Sequence, residues 1–424
     1  MADATVAVLD DMTRERRRAA SPTVTFLPEP EPEDLFCPIV SADDHVLEPA
    51  DTFTSRVPRA LRERVPFVVE RDGYPHWVVD GAEWPFVLTN GAVGRVNREG
   101  DQAQRLQDYR PGVHDPHARI ADMDLCGIWG TMCFPSVLWG FGGSRFFKLA
   151  DREAALLSLK AYNDWVLEQW CATYPDRFMP WQLPWLADPQ VAADEIRRNA
   201  ERGARAVSFI ENPEPLGLPS IYTDYWHPFF EACEETGTVI NLHVGSSGLV
   251  SRPSTQSPQV VSASLFPVNG IIAAIDWVFA KIPVKYPELK IVLSEAGVSW
   301  VPMVIDRLRR STRLGATAGW ESSYPTPVEV FQRNFWFTSV EDPLAFDNLD
   351  LIGVDHVMVE TDYPHGDSTW PRAQEMLRFE MPELDPKLVR KVCYGNACDL
   401  YRWTPPPEDM IARSTVGKRT GAQG

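Results

Sequence analysis

Five ionisable residues stand at the ends of short apolar segments, where an α/β protein keeps its reactive groups. Asp43 and His45 end the first segment, His243 ends a later one, and Glu295 and Asp362 end two more. Two imidazoles together with carboxylates form a donor set that suits Zn²⁺, Mn²⁺ or Fe²⁺. Because burying several carboxylates without a cation is unfavourable, these residue types predict a divalent metal site.

Such residues are far apart in the chain, so a scaffold must bring the segment ends together. Short apolar strands alternate with amphipathic helical segments along most of the sequence. The strands are predicted over Pro38–His45, Gly127–Phe134, Met179–Pro184, Ala204–Ile210, Thr238–His243, Leu289–Glu295, Asn334–Ser339 and His356–Asp362. Helices are predicted over Arg152–Thr173, Pro189–Arg202, Tyr225–Thr236, Ile271–Lys281 and Val301–Ser311. Eight such strands predict the α/β class and a (β/α)8 TIM barrel.

In a barrel of this kind the catalytic groups come from the carboxyl ends of the strands. Asp43 and His45 are two residues apart, so both side chains face the barrel interior. We therefore predict a metal held by Asp43, His45, His243 and Asp362, with Glu295 at the same mouth.

The chain is predicted to form one barrel domain over residues 37–403, between a flexible N-terminal arm (1–36) and a flexible C-terminal tail (404–424). Within the domain, Asp72-Gly73 and Asp80-Gly81 separate apolar runs, which is a hairpin signal. A small β insertion is therefore expected over about residues 62–95, just after the first strand.

Composition limits the partners of this protein. Its 424 residues include 59 acidic and 41 basic ones, which leaves a net charge of −18. That charge argues against nucleic acid or an anionic membrane as a partner. The seven cysteines contain no CxxC pair, and we find neither a signal peptide nor a membrane span, so we expect a cytoplasmic protein with reduced thiols. The proline-rich arms need a surface to lie on, and we expect a homodimer.

Aromatic and hydroxyl side chains near the strand ends point to a small aromatic or cyclic substrate. Trp139 follows the second strand and Trp300 follows the sixth, while Ser246 lies just after His243. His365 is three residues beyond Asp362 and within reach of the same pocket. We expect these four residues to contact the substrate.

Several motifs, spread from about residue 38 to 402, together resemble one known family. They are Ser41-Ala42-Asp43-Asp44-His45-Val46-Leu47-Glu48-Pro49, Met123-Asp124-Leu125-Cys126-Gly127-Ile128, Ala161-Tyr162-Asn163-Asp164-Trp165, Leu242-His243-Val244-Gly245-Ser246-Ser247, Ser294-Glu295-Ala296-Gly297, Glu360-Thr361-Asp362-Tyr363-Pro364-His365 and Tyr394-Gly395-Asn396-Ala397. The set resembles the amidohydrolase superfamily, and within it the amidohydrolase-related (amidohydrolase 2) branch that includes γ-resorcylate decarboxylase and aminocarboxymuconate semialdehyde decarboxylase.

The resemblance implies a distorted TIM barrel with one divalent metal. Its metal-binding motif maps onto Asp43, His45, His243 and Asp362. The related decarboxylases carry a histidine after the sixth strand, where this sequence has Glu295. The fourth strand ends in Phe209-Ile210-Glu211 without a lysine, which argues against a binuclear site built on a carbamylated lysine.

The superfamily chemistry implies hydrolysis of a C–N bond by a metal-activated water, or its reversal in a condensation or ring closure. Asp362 and His243 would act at the metal, Zn²⁺ first with Mn²⁺ or Fe²⁺ as alternatives, and Glu295 would be an acid/base group. The alternative is non-oxidative decarboxylation of an aromatic carboxylic acid, in which Glu295 delivers the proton if burial raises its pKa.

Three further alternatives stay open at this stage. A non-haem iron oxygenase also uses two imidazoles and a carboxylate, but its usual β-sandwich has few helices. A barrel that has lost catalysis and serves as a scaffold is a second possibility, against which the retained ligand-type residues argue. The role of Glu295 is also open: it is a metal ligand, an acid/base group or a structural carboxylate.

Overall fold

The computed structural model describes residues 24–71, 73–86, 91–96, 105–136, 139–249, 251–315, 319–403 and 405. Its strands are β1 (Ile39–His45), β2 (Phe67–Arg71), β3 (Tyr74–Val79), β4 (Ala82–Pro85), β5 (Ile128–Phe134), β6 (Trp181–Gln182), β7 (Ala206–Phe209), β8 (Val239–His243), β9 (Ile291–Ser294), β10 (Phe335–Ser339) and β11 (Val357–Val359). Each of the eight predicted barrel strands is present, as β1 and β5–β11, and is shorter than predicted at one or both ends.

The barrel strands are parallel. β1 pairs with β5, and a second sheet runs in the order β11-β10-β9-β8-β7-β6. Backbone contacts connect the two sheets on both sides. Thr131 forms a parallel bridge with Phe178, just before β6, and the Asp362 N–H donates to the Asp43 carbonyl at 3.1 Å, beyond β11. The predicted TIM-barrel fold is therefore confirmed.

Helices cover the outside of the barrel. They span Pro116–Leu125, Arg152–Trp165, Cys171–Thr173, Pro189–Glu201, His227–Thr236, Gln259–Ser264, Phe266–Phe279, Ile282–Lys285, Val301–Arg313, Pro327–Asn334, Pro343–Phe346, Leu349–Ile352, Ala373–Glu380, Pro386–Arg390 and Asn396–Leu400. Aspartates begin two of the long ones, since Asp151 accepts from the Ala154 N–H and Asp188 from the Gln190 N–H. Such caps satisfy backbone donors that have no partner within the helix.

The predicted β insertion is an antiparallel meander in the order β2-β3-β4. Asp80 and Gly81 both have positive φ (50° and 74°), the conformation of the tight turns that connect hairpin strands. Trp77 of β3 is fully buried and packs against Phe53 and Trp139. The insertion thus joins the hydrophobic core beside the barrel.

The ends of the chain were predicted to be flexible arms, of which residues 1–23, 404 and 406–424 lie outside the described residues. Residues 24–36 lie along the barrel of their own chain: the Leu27 N–H donates to the Gly94 carbonyl, and Glu29 forms an ion pair with Arg110. None of the described helices combines the length and apolar character needed to cross a membrane. The expected homodimer involves a second chain and stays a prediction.

Candidate active site

Asp43 and His45 lie side by side at the carboxyl end of β1, as their spacing predicts. Every residue of β1 is buried. The His45 Nε2 atom lies 3.6 Å from Asp43 Oδ1. Strand alternation directs both side chains into the barrel, because residues two apart share a face.

Two other strands bring His243 and Asp362 to the same point. His243 ends β8, and its Nε2 atom lies 3.4 Å from Asp43 Oδ2 and 3.4 Å from His45 Nε2. Asp362 follows β11, with Oδ1 3.3 Å from His45 Nε2. We call Asp43, His45, His243 and Asp362 the mouth cluster; ligand atoms of the first three lie within 4.8 Å of one another. The four predicted metal ligands therefore meet, although they come from strands far apart in the sequence.

The charges and hydrogen bonds of the mouth cluster suit a cation. Both Asp43 carboxylate oxygens are buried and lack a hydrogen-bond partner in the part of the chain that is described. Burial, and then the neighbouring Asp362 carboxylate, raise the pKa of Asp43 well above its usual value. Burial lowers the pKa of His45 to about 3 and also lowers that of His243, so both imidazoles are neutral and keep a lone pair for a metal. A divalent ion would satisfy all of these groups.

His365 also reaches the site, as expected. Its Nδ1 atom lies 2.8 Å from Asp362 Oδ1, and its ring stacks on His45 with centroids 4.2 Å apart. Burial opposes the charge on His365, but the Asp362 carboxylate outweighs it and raises the His365 pKa to about 10. For Asp362 the balance is the reverse: burial would raise its pKa, yet the charge and hydrogen bond of His365 lower it. The two residues form a buried ion pair beside the mouth cluster.

Glu295 faces the cluster from the end of β9. Its Oε2 atom lies 3.6 Å from His243 Nε2. Its backbone N–H donates to Thr338 Oγ1 at 3.1 Å and to Glu360 Oε2 at 3.2 Å. Burial and the Asp362 charge raise the pKa of Glu295 well above its usual value. The structure thus places a buried carboxyl group with a raised pKa next to the mouth cluster.

Glu295 and Asp362 share an uncommon backbone conformation. Their φ angles are +56° and +52°, in a region that non-glycine residues rarely adopt. Such conformations are disfavoured and persist where the surrounding structure holds them, often at functional sites. Glu295 comes directly after β9, and Asp362 lies three residues beyond the end of β11.

Phe134 lies edge-on to His243 at 5.6 Å between centroids, and Phe141 packs closer to the cluster. The Phe141 ring stacks on His243 at 3.8 Å between centroids and lies 5.1 Å from His45. Trp139 packs among Phe53, Trp77 and Phe146, and its expected contact with substrate stays a prediction. Phe141 and Trp139 both lie in the loop after β5, and the sequence carried no signal to rank one above the other.

Trp300 and Ser246 are engaged elsewhere. The Trp300 ring packs edge-on against Phe337 at 5.6 Å, and its indole N–H donates to the Ala296 carbonyl. Ser246 Oγ accepts from the Glu211 N–H at 3.0 Å. Their predicted contact with substrate stays a prediction, and the described contacts of both residues are with the protein itself.

A family profile and a related sequence both place this chain in one family. A sequence profile of the family described as amidohydrolase matches residues 75–403. A γ-resorcylate decarboxylase of Rhodococcus jostii is 25% identical over 242 residues, which cover 51% of this chain and 69% of that protein.

Solved structures share the fold. An amidohydrolase from Mycobacterium avium subsp. paratuberculosis has a TM-score of 0.66 at 24% identity, over 87% of this chain and all of that one. A 5-carboxyvanillate decarboxylase from Novosphingobium aromaticivorans, complexed with manganese and 4-hydroxy-3-methoxy-5-nitrobenzoic acid, has a TM-score of 0.59 at 18% identity, over 89% of this chain and all of that one.

These findings correct the expected reaction. The primary expectation, hydrolysis or re-formation of a C–N bond, is wrong, because the matching relatives in sequence are γ-resorcylate decarboxylases. The physical reason for the error lies in the site itself. A metal with two imidazoles and two carboxylates serves either reaction, so the ligand types predict a metal but do not determine which bond of the substrate is broken.

Proposed function

This chain is an enzyme of the amidohydrolase family, and from that membership we propose that it removes CO₂ from a small aromatic carboxylic acid without oxidation. The observation that carries the proposal is the position of the buried Glu295 carboxyl group, whose Oε2 atom lies 3.6 Å from His243 Nε2 beside the mouth cluster. The similarity to γ-resorcylate decarboxylases supports it independently.

Asp43, His45, His243 and Asp362 would hold the metal. The two Asp43 oxygens without hydrogen-bond partners among the described residues, and the two neutral imidazoles, fit this role. We propose Mn²⁺ rather than the Zn²⁺ expected from the ligand types, since manganese is bound in related decarboxylases. When bound, the ion would neutralise the substrate carboxylate and polarise a neighbouring ring hydroxyl.

Glu295 is the proposed general acid. Burial and the Asp362 charge raise its pKa well above the usual value, which favours the protonated form that a general acid needs. The proton goes to the ring carbon that bears the carboxylate; the bond from that carbon to the carboxylate breaks, and its electron pair returns to the ring as CO₂ leaves. Glu295 is then a carboxylate and takes up a proton from solvent before the next turnover.

His365 and Asp362 have a supporting role in this proposal. With a pKa of about 10, His365 is an imidazolium at neutral pH and compensates the negative charge of Asp362. A positive group next to the cluster also favours entry of an anionic substrate into a site rich in carboxylates. Phe141, stacked on His243, offers an apolar wall for an aromatic ring.

The test uses the purified enzyme loaded with Mn²⁺ and a panel of benzoic acids that carry a hydroxyl next to the carboxylate. We expect CO₂ release from at least one member, without O₂ consumption, and incorporation of one deuterium at the vacated ring carbon in D₂O. The same benzoic acids without the hydroxyl are the matched controls. An enzyme that binds the panel with Mn²⁺ present and releases no CO₂ from any member would overturn the proposal.

A further inference from the structure

Both histidines of the mouth cluster point their second ring nitrogen at a backbone carbonyl. His45 Nδ1 lies 3.4 Å from the Pro135 oxygen, and His243 Nδ1 lies 2.9 Å from the Val244 oxygen. A carbonyl only accepts, so this geometry assigns the ring proton to Nδ1 in both neutral rings. Each Nε2 lone pair is then free to face the metal.

The peptide group whose carbonyl faces His45 Nδ1 is held on its N–H side by Glu48. The Ser136 N–H, which belongs to the same peptide group as the Pro135 carbonyl, donates to Glu48 Oε1 at 2.9 Å. The Ser136 hydroxyl donates to Oε2 at 2.7 Å. Glu48 is completely buried, so its carboxyl group accepts these hydrogen bonds away from solvent.

The turn over residues 244–247, which carries the Val244 carbonyl, is held by Glu211. The Ser246 N–H donates to the His243 carbonyl at 3.1 Å, which closes this turn. The Ser247 hydroxyl donates to Glu211 Oε2 at 3.0 Å. Gly245 has a φ of +79°, which a residue with a side chain rarely adopts, so glycine permits this tight return of the chain.

We propose that Glu48 and Glu211 are positioning residues that orient His45 and His243 through the backbone carbonyl behind each ring. Glu48 holds the peptide group between Pro135 and Ser136, and Glu211 holds the turn over residues 244–247; we call each arrangement a relay. For Glu48, a carboxylate on the N–H side polarises the peptide, which makes its carbonyl a stronger acceptor for the imidazole N–H. A firmly held N–H fixes the ring and makes the opposite nitrogen a better metal ligand.

The two glutamates have matching surroundings. Burial raises the pKa of each to about 7, while hydrogen bonds from the serine N–H and hydroxyl groups oppose the rise. Glu211 also has a reciprocal bond, since its own N–H donates to Ser246 Oγ at 3.0 Å. This contact gives Ser246 a place in the His243 relay.

The relays rest on the proposed metal site, and the first experiment measures that site directly. Mn²⁺ affinity is read from the electron paramagnetic resonance signal of free Mn²⁺ in titrations of metal-free protein. We expect Glu48→Gln and Glu211→Gln to weaken binding by roughly 10- to 100-fold, the usual effect of removing a partner behind a ligand histidine. Glu380→Gln is the control, because Glu380 is equally buried and accepts from the Asp342 N–H, away from both histidines.

The second experiment needs no metal and separates the two proposals. Protein with ¹⁵N-labelled histidine reports which ring nitrogen carries the proton. We expect the Nδ1–H form for His45 and His243 in the native chain, and a mixture of both forms in the glutamine variants. If Glu211→Gln does not fold, Ser247→Ala leaves the carboxylate in place and is expected to give a partial shift.

The outcomes are distinct. If the native protein binds no Mn²⁺ but carries the ring protons at the expected nitrogens, the proposed metal site is refuted and the relays are supported. Variants with native Mn²⁺ affinity, or with unchanged proton positions, would overturn the relays and leave the metal site intact.

Discussion

Two buried clusters lie close together at the mouth of this barrel and differ in what they need. In the mouth cluster, both Asp43 carboxylate oxygens are buried without a hydrogen-bond partner among the described residues. The second cluster, which we call the insertion cluster, consists of Phe53, Trp77, Trp84, Trp139 and Phe146 and holds the β insertion against the loop after β5. Contacts between aromatic rings hold the insertion cluster together, whereas the buried carboxylates of the mouth cluster would need a cation to offset their charge.

One short loop serves both clusters. Trp139 contributes to the insertion cluster, and Phe141, two residues later, stacks on His243. The Phe141 carbonyl accepts a hydrogen bond from the Ser208 hydroxyl, which anchors the loop to β7. A residue's type and its distance from a strand end are therefore insufficient to say whether it supports the fold or faces the substrate.

The largest effect should come from removing a ligand of the mouth cluster. We expect His243→Ala to reduce the metal content from about one ion per chain to almost none, and activity with it, because three ligands seldom retain an ion that four hold. Elemental analysis of protein purified without chelator measures this. His356→Ala is the control, since His356 stands at the opposite end of β11, where its Nδ1–H donates to the Phe335 carbonyl at 2.8 Å. Unchanged metal in His243→Ala would refute the ligand assignment.

A smaller effect is expected from the proposed acid. Glu295→Gln keeps the shape of the side chain and removes its proton, so turnover should fall by roughly 10²–10⁴-fold while metal content stays native. Steady-state kinetics and elemental analysis of the same preparation distinguish the possible roles of Glu295. If the variant loses its metal, Glu295 is a metal ligand. If the variant keeps full activity, Glu295 is a structural carboxylate.

The smallest effect on catalysis is expected in the insertion cluster. Trp139→Ala should lower the free energy of unfolding by about 3–5 kcal/mol, the usual result of removing a large buried aromatic ring. Metal content should remain native, since the described ring contacts of Trp139 are with other aromatic residues. Urea unfolding followed by fluorescence gives the stability change. A variant with unchanged stability and a raised KM would instead indicate that Trp139 contacts the substrate.

Several features were predictable from local patterns. Apolar runs of strand length, separated by amphipathic helices, correctly predicted all eight barrel strands, because buried parallel strands are apolar on both faces. The Asp80-Gly81 pair correctly predicted a turn of the insertion, while Asp72 of the other pair lies outside the described residues. The spacing of Asp43 and His45 correctly placed both side chains on one face. These inferences succeed because each depends on residues that are neighbours in the chain.

Other features depend on residues that only folding brings together. The sequence determined which residue types stand at the mouth, and the resemblance extended this to a metal-dependent enzyme. The tertiary structure alone decided that Phe141 and not Trp139 touches His243, and that Glu48 and Glu211 hold the backbone behind the two histidines. It also decided the raised pKa of Glu295, because desolvation and the charge of Asp362 raise that pKa, and both depend on distances between separate strands.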